Sequence, residues 1–245
     1  MSISLFKFKG GVKPPTHKNE STGLPIAKAP LPSHLVVPLH QSIGGMPRPV
    51  VAAGDKVLKG QLIGEADGWI SAAVHAPTSG TVRAVAMHAQ PHPSGLDALC
   101  VVIEPDGRDE WIAREPVDYK SLKPEEVRER LQQAGVVGPG GAVFPTHGKL
   151  TASQTVPMDE LVINGAECEP FITCDDLLMR ERAEEVVRGI GIFRDLLQPQ
   201  KVLIGIEDNK PEAAAAMRAA VDALKELFLV VPVPTLYPAG GAKQL

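Results

Sequence analysis

The sequence predicts an α+β chain of more than one domain, in which an all-β module precedes a parallel α/β module. Three observations carry this. With 245 residues the chain is long enough for two compact cores rather than one. From Leu35 to about Ile112 it consists of short β-type runs separated by Gly, Pro, Asp and Ser. After Pro116 the apolar residues first recur at helical spacing, then form short runs of strand length between helical stretches. Strand, helix, strand, helix, strand is the order of a parallel sheet with right-handed crossovers. The expected divisions are an N-terminal arm over 1–34, a β domain over 35–115 and an α/β domain over 116–245.

The arm carries Gly10, Gly11, Pro14, Pro15, Pro25, Pro30 and Pro32, which disfavour regular structure and predict an extended segment laid over a neighbouring domain. The β domain is expected to hold strands at Leu35–Leu39, Val57–Ile63, Gly80–Val85 and Leu99–Ile103 and to close as a barrel or sandwich. Ala53-Gly54-Asp55-Lys56-Val57, running on to Lys59-Gly60-Gln61, and Ala76-Pro77-Thr78-Ser79-Gly80-Thr81-Val82 resemble the paired half-repeats of biotinyl/lipoyl carrier domains. That resemblance implies a barrel-sandwich hybrid. Carriers attach their prosthetic group to a lysine at the tip of the hairpin between the halves. The segment from Glu65 to His75 has no lysine, so the fold is expected without the carrier function.

The α/β domain follows an acidic linker, Pro116 to Lys123. Pro124, suited to a first helical turn, opens a helix with Val127, Leu131 and Ala134 inward, and Gly135 stops it. A glycine-rich loop, Gly135 to Lys149, comes next. Leu161-Val162-Ile163 reads as a buried strand. Thr173 with Asp176 three residues on resembles a capping box opening one long helix, whose apolar face is Met179, Ala183, Val186, Val187, Ile190 and Phe193. Val202–Ile206 is the second strand, Pro211 to Leu227 the second helix with Met217, Val221 and Leu224 inward, and Leu229–Val231 the third strand.

Composition excludes several function classes. Hydrophobic content of 44% and charged content of 22% fit a folded globular chain. A net charge of −4 with both signs interspersed offers no electrostatic footprint for nucleic acid or an anionic membrane surface. Cys100, Cys168 and Cys174 are too few and too irregular for a disulfide framework, which favours a reducing setting, and Cys168 and Cys174 lack the spacing of a two-thiol metal site. Near the N-terminus Leu5, Phe6 and Phe8 alternate with Lys7 and Lys9, so no signal peptide is expected. The apolar run Leu227 to Val233 contains Pro232 and is far short of the roughly 20 residues that span a bilayer. No direct membrane insertion is expected. His75, His88, His92 and His147 have no metal-ligand spacing and are expected to be polar surface or turn residues.

Ligands of open parallel sheets bind at the carboxyl ends of the strands, where loops diverge and helix N-termini point inward. Three such ends are rich in small and polar residues: Asn164-Gly165-Ala166-Glu167-Cys168-Glu169-Pro170, Glu207-Asp208-Asn209-Lys210 and Tyr237-Pro238-Ala239-Gly240-Gly241. The loop Gly138-Pro139-Gly140-Gly141-Ala142-Val143-Phe144-Pro145-Thr146-His147-Gly148-Lys149 suits close backbone approach to a phosphate. It is neither standard phosphate motif. Val143 and Leu150 break the Walker A pattern, and the loop follows a helix where a dinucleotide fingerprint follows a strand. On the residues alone the loop is either a turn or a ligand cradle, Phe144 either a packing or a stacking residue, and Glu167 and Glu169 either site residues or acids at the next helix N-terminus.

Gly-Gly-Ala-x-Phe-Pro-Thr-x-x-Lys over Gly140 to Lys149, with Asn-x-x-Glu-x-Glu-Pro over Asn164 to Pro170, resembles the flavin- and NADH-binding subunit of respiratory complex I. Gly10-Gly11-Val12-Lys13-Pro14-Pro15, Gly205 to Ala213 and Tyr237 to Leu245 narrow the resemblance to the RnfC family. It implies the N-terminal part of such a protein: a barrel-sandwich hybrid, then the first part of a complex-I-flavoprotein-like α/β domain, truncated at its C-terminal side. It further implies that the Gly138, Gly140 and Gly141 backbone cradles FMN with Lys149 at its phosphate. Phe144 would face the nicotinamide, and Asn164, Glu167, Glu169, Tyr237 and Gly240 would line the flavin and NADH. The complex I pattern has an acid where Ala166 stands and Gly-Glu-Glu where this chain has Gly240-Gly241-Ala242. The activity implied is hydride transfer from NADH to FMN, with electrons passed to 4Fe-4S clusters beyond this chain. The partners implied are the other Rnf subunits, at the cytoplasmic face of the bacterial inner membrane, where the chain is peripheral. A non-catalytic docking module and a cobalamin-reductase-type flavoprotein are the alternatives.

Overall fold

The computed structural model describes residues 5, 7–138, 143–151 and 157–245. The chain forms two compact units, residues 29–152 and residues 1–28 with 153–245. Most of the arm thus belongs to the α/β unit, and the first helix with the glycine-rich segment belongs to the β unit. No helix among the described residues is long and apolar enough to cross a membrane.

The β unit holds β1 (Leu35–Pro38), β2 (Arg48–Pro49), β3 (Lys56–Val57), β4 (Leu62–Glu65), β5 (Val74–His75), β6 (Gly80–Ala89) and β7 (Asp97–Pro105). One antiparallel sheet has the order β1-β7-β6-β3, with Leu35 opposite Ile103 and Lys56 opposite Thr81; the other is β2-β4-β5, with Arg48 opposite Glu65. Val37, Leu39, Val57, Ile63, Val74, Ala76, Val82, Val101 and Ile103 form its core. The half-repeats pair with each other. Gly54 N–H donates to Val82 O and Val82 N–H to Asp55 O, while Gly60 N–H donates to Ala76 O and Ala76 N–H to Gln61 O. The barrel-sandwich hybrid is therefore present. The single strand expected over Val57–Ile63 is two, because Gly60 turns at φ 80° and sends β3 and β4 to different sheets.

Helix α1 (Pro124–Gln133) starts at Pro124, and Lys123 N–H donates to the Glu126 carboxylate at 2.8 Å. Its last turn clasps the barrel hairpin: Ala73 N–H donates to Gln132 O, and the Gln132 side-chain amide donates to Gly68 O at 3.0 Å and Ser71 O at 3.2 Å. The segment expected as loop from Gly135 to Lys149 contains a short helix, α2 (Thr146–Lys149), started by the turn at Pro145. Four residues are too few for any periodicity to reveal.

In the α/β unit β8 (Glu160–Gly165), β9 (Lys201–Glu207) and β10 (Leu229–Val233) form a parallel sheet in the order β10-β9-β8. Between β8 and β9 lie α3 (Cys174–Glu181) and α4 (Ala183–Leu197), and between β9 and β10 lies α5 (Pro211–Ala223). Met179, Val187, Ile190, Val202, Ile204, Ile206, Met217, Val221 and Phe228 bury one face of the sheet against these helices. Two helix expectations need correction. The long helix breaks at Arg182 (φ −133°, ψ 36°); its apolar spacing continues across the break, so periodicity alone does not show it. The helix from Pro211 stops at Ala223 rather than Leu227, because Lys225 takes a left-handed φ of 56°.

Candidate functional site

The three strand ends of the α/β unit meet through side chains placed by the strands themselves. Asn164, next to last in β8, donates from Nδ2 to Gly240 O at 2.7 Å and accepts the Ala166 N–H at Oδ1 at 3.1 Å, tying the first loop to the third. Gly240 N–H in turn lies 3.1 Å from Cys168 Sγ, and a Cβ at Gly240 would stand 3.0 Å from Ala166 O, so the approach of the two backbones requires glycine. Glu207, last in β9, accepts the Glu167 N–H at 3.2 Å and pairs with Lys210, which also reaches Glu167 O at 3.3 Å. Both members of this pair are fully buried.

Glu167 is 4% exposed. Its Oε1 accepts the Asp175 N–H at 2.9 Å, so this acid, not the expected Thr173 with Asp176, caps α3; Thr173 makes no side-chain cap. Asp176 instead holds Arg180 through two bonds of 2.7 Å. Glu167 Oε2 is buried with no hydrogen-bond partner. Glu169 is exposed. Burial raises the pKa of both the Cys168 and Cys174 thiols, which keeps them protonated rather than nucleophilic.

The arm forms part of this site, and the sequence offered no sign of which arm residues do so. Val12 and Tyr237 exchange backbone hydrogen bonds of 2.9 Å, Phe171 N–H donates to Thr16 O at 3.0 Å, and the His17 ring stacks on Phe171 at 4.6 Å. Lys18, 8% exposed, donates to the carbonyls of Glu167, Glu169 and Ile172 at 2.6, 2.8 and 2.6 Å. Between arm and strand ends lies a cavity of about 320 Å³ lined by Val12, Lys13, Thr16, Cys168, Asp208 and Thr235 among others.

In the β unit the glycine-rich segment is closed at its neck. Gly138 N–H donates to Phe144 O at 2.9 Å and Thr146 N–H to Val136 O at 3.0 Å. Gly140 and Gly141 lie outside the described residues. Lys149 Nζ lies where a Gly138 Cβ would be, 2.4 Å from that position, so the ammonium rests against the loop backbone. Phe144 is half-buried, with its ring against Gly148. His147, expected at the surface, is 1% exposed; its Nε2–H donates to Trp69 O at 2.7 Å and its ring meets Trp69 edge-on. α2 turns it inward onto the barrel hairpin.

Family models match both parts of the chain: the RnfC Barrel sandwich hybrid domain over residues 6–108, and the Nuo51 FMN-binding domain over residues 131–245. Proteins named as the C-type subunit of the ion-translocating oxidoreductase complex align end to end with it. That of Haemophilus influenzae strain 86-028NP is 47% identical over 100% of this chain and 36% of its own length. That of Pseudomonas aeruginosa is 50% identical over 99% of this chain and 31% of its own. The chain belongs to the RnfC family. It spans about a third of the length of these RnfC relatives. A solved NAD+-reducing [NiFe]-hydrogenase aligns over 49% of this chain at 22% identity with a TM-score of 0.43, too slight a likeness to support an argument.

The residues present suit a phosphorylated flavin as RnfC ligand. Lys149 supplies a cation at a glycine backbone, and Asn164 and Gly240 present amide and carbonyl groups from facing loops.

Proposed function

We propose that this chain is the FMN- and NADH-handling part of an RnfC-type subunit. The observation that carries the reading is the joining of the strand ends through Asn164 and Gly240 inside the segment matched by the FMN-binding domain model. In the α/β unit, Asn164, Glu167, Glu169, Tyr237 and Gly240 line the flavin and nicotinamide. In the β unit, the backbone at Gly138, Gly140 and Gly141 with Lys149 takes the phosphate, and Phe144 offers its ring to the nicotinamide. Of these, Glu167 acts mainly through the loop it braces, since its Oε1 is occupied by the α3 N-terminus. FMN, when bound, supplies the acceptor for hydride from NADH and the step to one-electron carriers.

The 4Fe-4S clusters belong to the remainder of the protein, because a cluster takes four thiolates and this chain has three cysteines. Other subunits of the complex hold the protein peripherally at the cytoplasmic face of the inner membrane. Titration with FMN, followed by flavin fluorescence, tests the reading. Saturable binding is expected, weakened about tenfold by Lys149→Met, the scale of one lost charge-assisted contact. Absence of binding by the unmodified chain would favour a docking module instead.

A further inference from the structure

We propose that Lys18 of the N-terminal arm is a positioning residue for the candidate flavin site, holding the loop after β8 in its binding shape. The inference rests on the flavin reading above for its functional consequence. An ammonium has three protons to donate, and Lys18 directs them to three carbonyls of a single loop, Glu167, Glu169 and Ile172, about 150 residues away in sequence. Turning the 167 and 169 carbonyls inward leaves the Glu169 side chain in solvent.

Burying a cation is costly unless hydrogen bonds and opposite charge offset it. The bonds are those three. The opposite charge comes from Glu167, whose Oε2 stands 4.0 Å from Lys18 Nζ with no hydrogen-bond partner of its own, and from Glu207, which serves Lys210 as well. Burial and the neighbouring Lys210 lower the Lys18 pKa, and Glu167, Glu207 and Glu169 pull it back. None of the three acceptors lies in the sheet or the helices of the core cluster, so Lys18 acts on the loop and not on the packed interior.

The test uses the whole chain with Lys18→Met and Lys18→Ala, comparing FMN affinity and backbone hydrogen exchange. Both variants are expected to weaken FMN binding by about tenfold or more. Amides of residues 166–173 should exchange faster while those of β9 keep their protection, and a small alkylammonium such as ethylammonium should restore part of the affinity in Lys18→Ala. Unchanged affinity and unchanged loop exchange would overturn the proposal. So would loss of β9 protection together with the loop, since that marks a residue needed only for folding. If the unmodified chain takes up no FMN, the flavin reading falls, while the exchange comparison still decides whether Lys18 holds the loop.

Discussion

Glu207 and Lys210 form a pair shut away from water at the end of β9, and Glu207 Oε1 has no hydrogen-bond partner. Such a pair contributes little relative to apolar packing, but removing one partner strands the other. Lys210→Met should therefore destabilise the α/β unit by about 3–5 kcal/mol, and adding Glu207→Gln should recover a substantial part of that loss. Urea unfolding of the single and double variants measures both, and additive losses would mean that the two residues do not act as a pair. At this scale the sequence was legible where a motif marks the residue, as at Asn164 and Gly240. It was silent at Lys18, because a lysine among prolines looks the same whether it faces solvent or three carbonyls. For Glu167 both meanings were open, site acid or helix cap, and the bond to Asp175 N–H shows the second while leaving Oε2 free of partners.

The docking of α1 and the glycine-rich segment on the barrel hairpin is the contact between elements that the sequence revealed least. The turn after α1 is tight: Gly135 has φ 69°, and a Cβ there would stand 2.4 Å from Ala73 O and 3.4 Å from His75 Nδ1. Burial holds His75 below its ordinary pKa of 6.5, partly offset by its bond to the Gln133 backbone. With the folded value below the unfolded one, the unfolded chain binds the proton first. Stability from this site is complete above about pH 6.5 and is lost as pH falls through that value and past the folded one. The β unit should accordingly unfold more readily in mild acid, and His75→Gln should flatten that dependence; a thermal melt series across pH measures it, and equal slopes for both proteins would show that His75 is not the group responsible. Strands and glycine turns were legible because alternation and punctuation are local. The break at Arg182 and the four residues of α2 were not, since neither disturbs the apolar spacing.

For the whole molecule, the order of a β module and a parallel α/β module was legible, and so was the hybrid barrel, because paired glycine turns leave a signature of fixed text. The grouping of the chain into units was not. Residues 1–28 join the α/β unit and residues 124–152 join the barrel, through contacts such as Val12 with Tyr237 and Gln132 with Gly68 that cross long stretches of sequence. The residues assigned to flavin and nicotinamide accordingly come from both units, Gly138, Phe144 and Lys149 from one and Asn164, Glu169, Tyr237 and Gly240 from the other. The most direct test of the central claim is to load the chain with FMN, add NADH without oxygen, and follow the bleaching of the bound flavin's absorbance. Bleaching should be clearly faster than that of free FMN at the same concentrations, and slower in Phe144→Ala with FMN still bound. Bound FMN that NADH reduces no faster than the free cofactor would contradict the assignment.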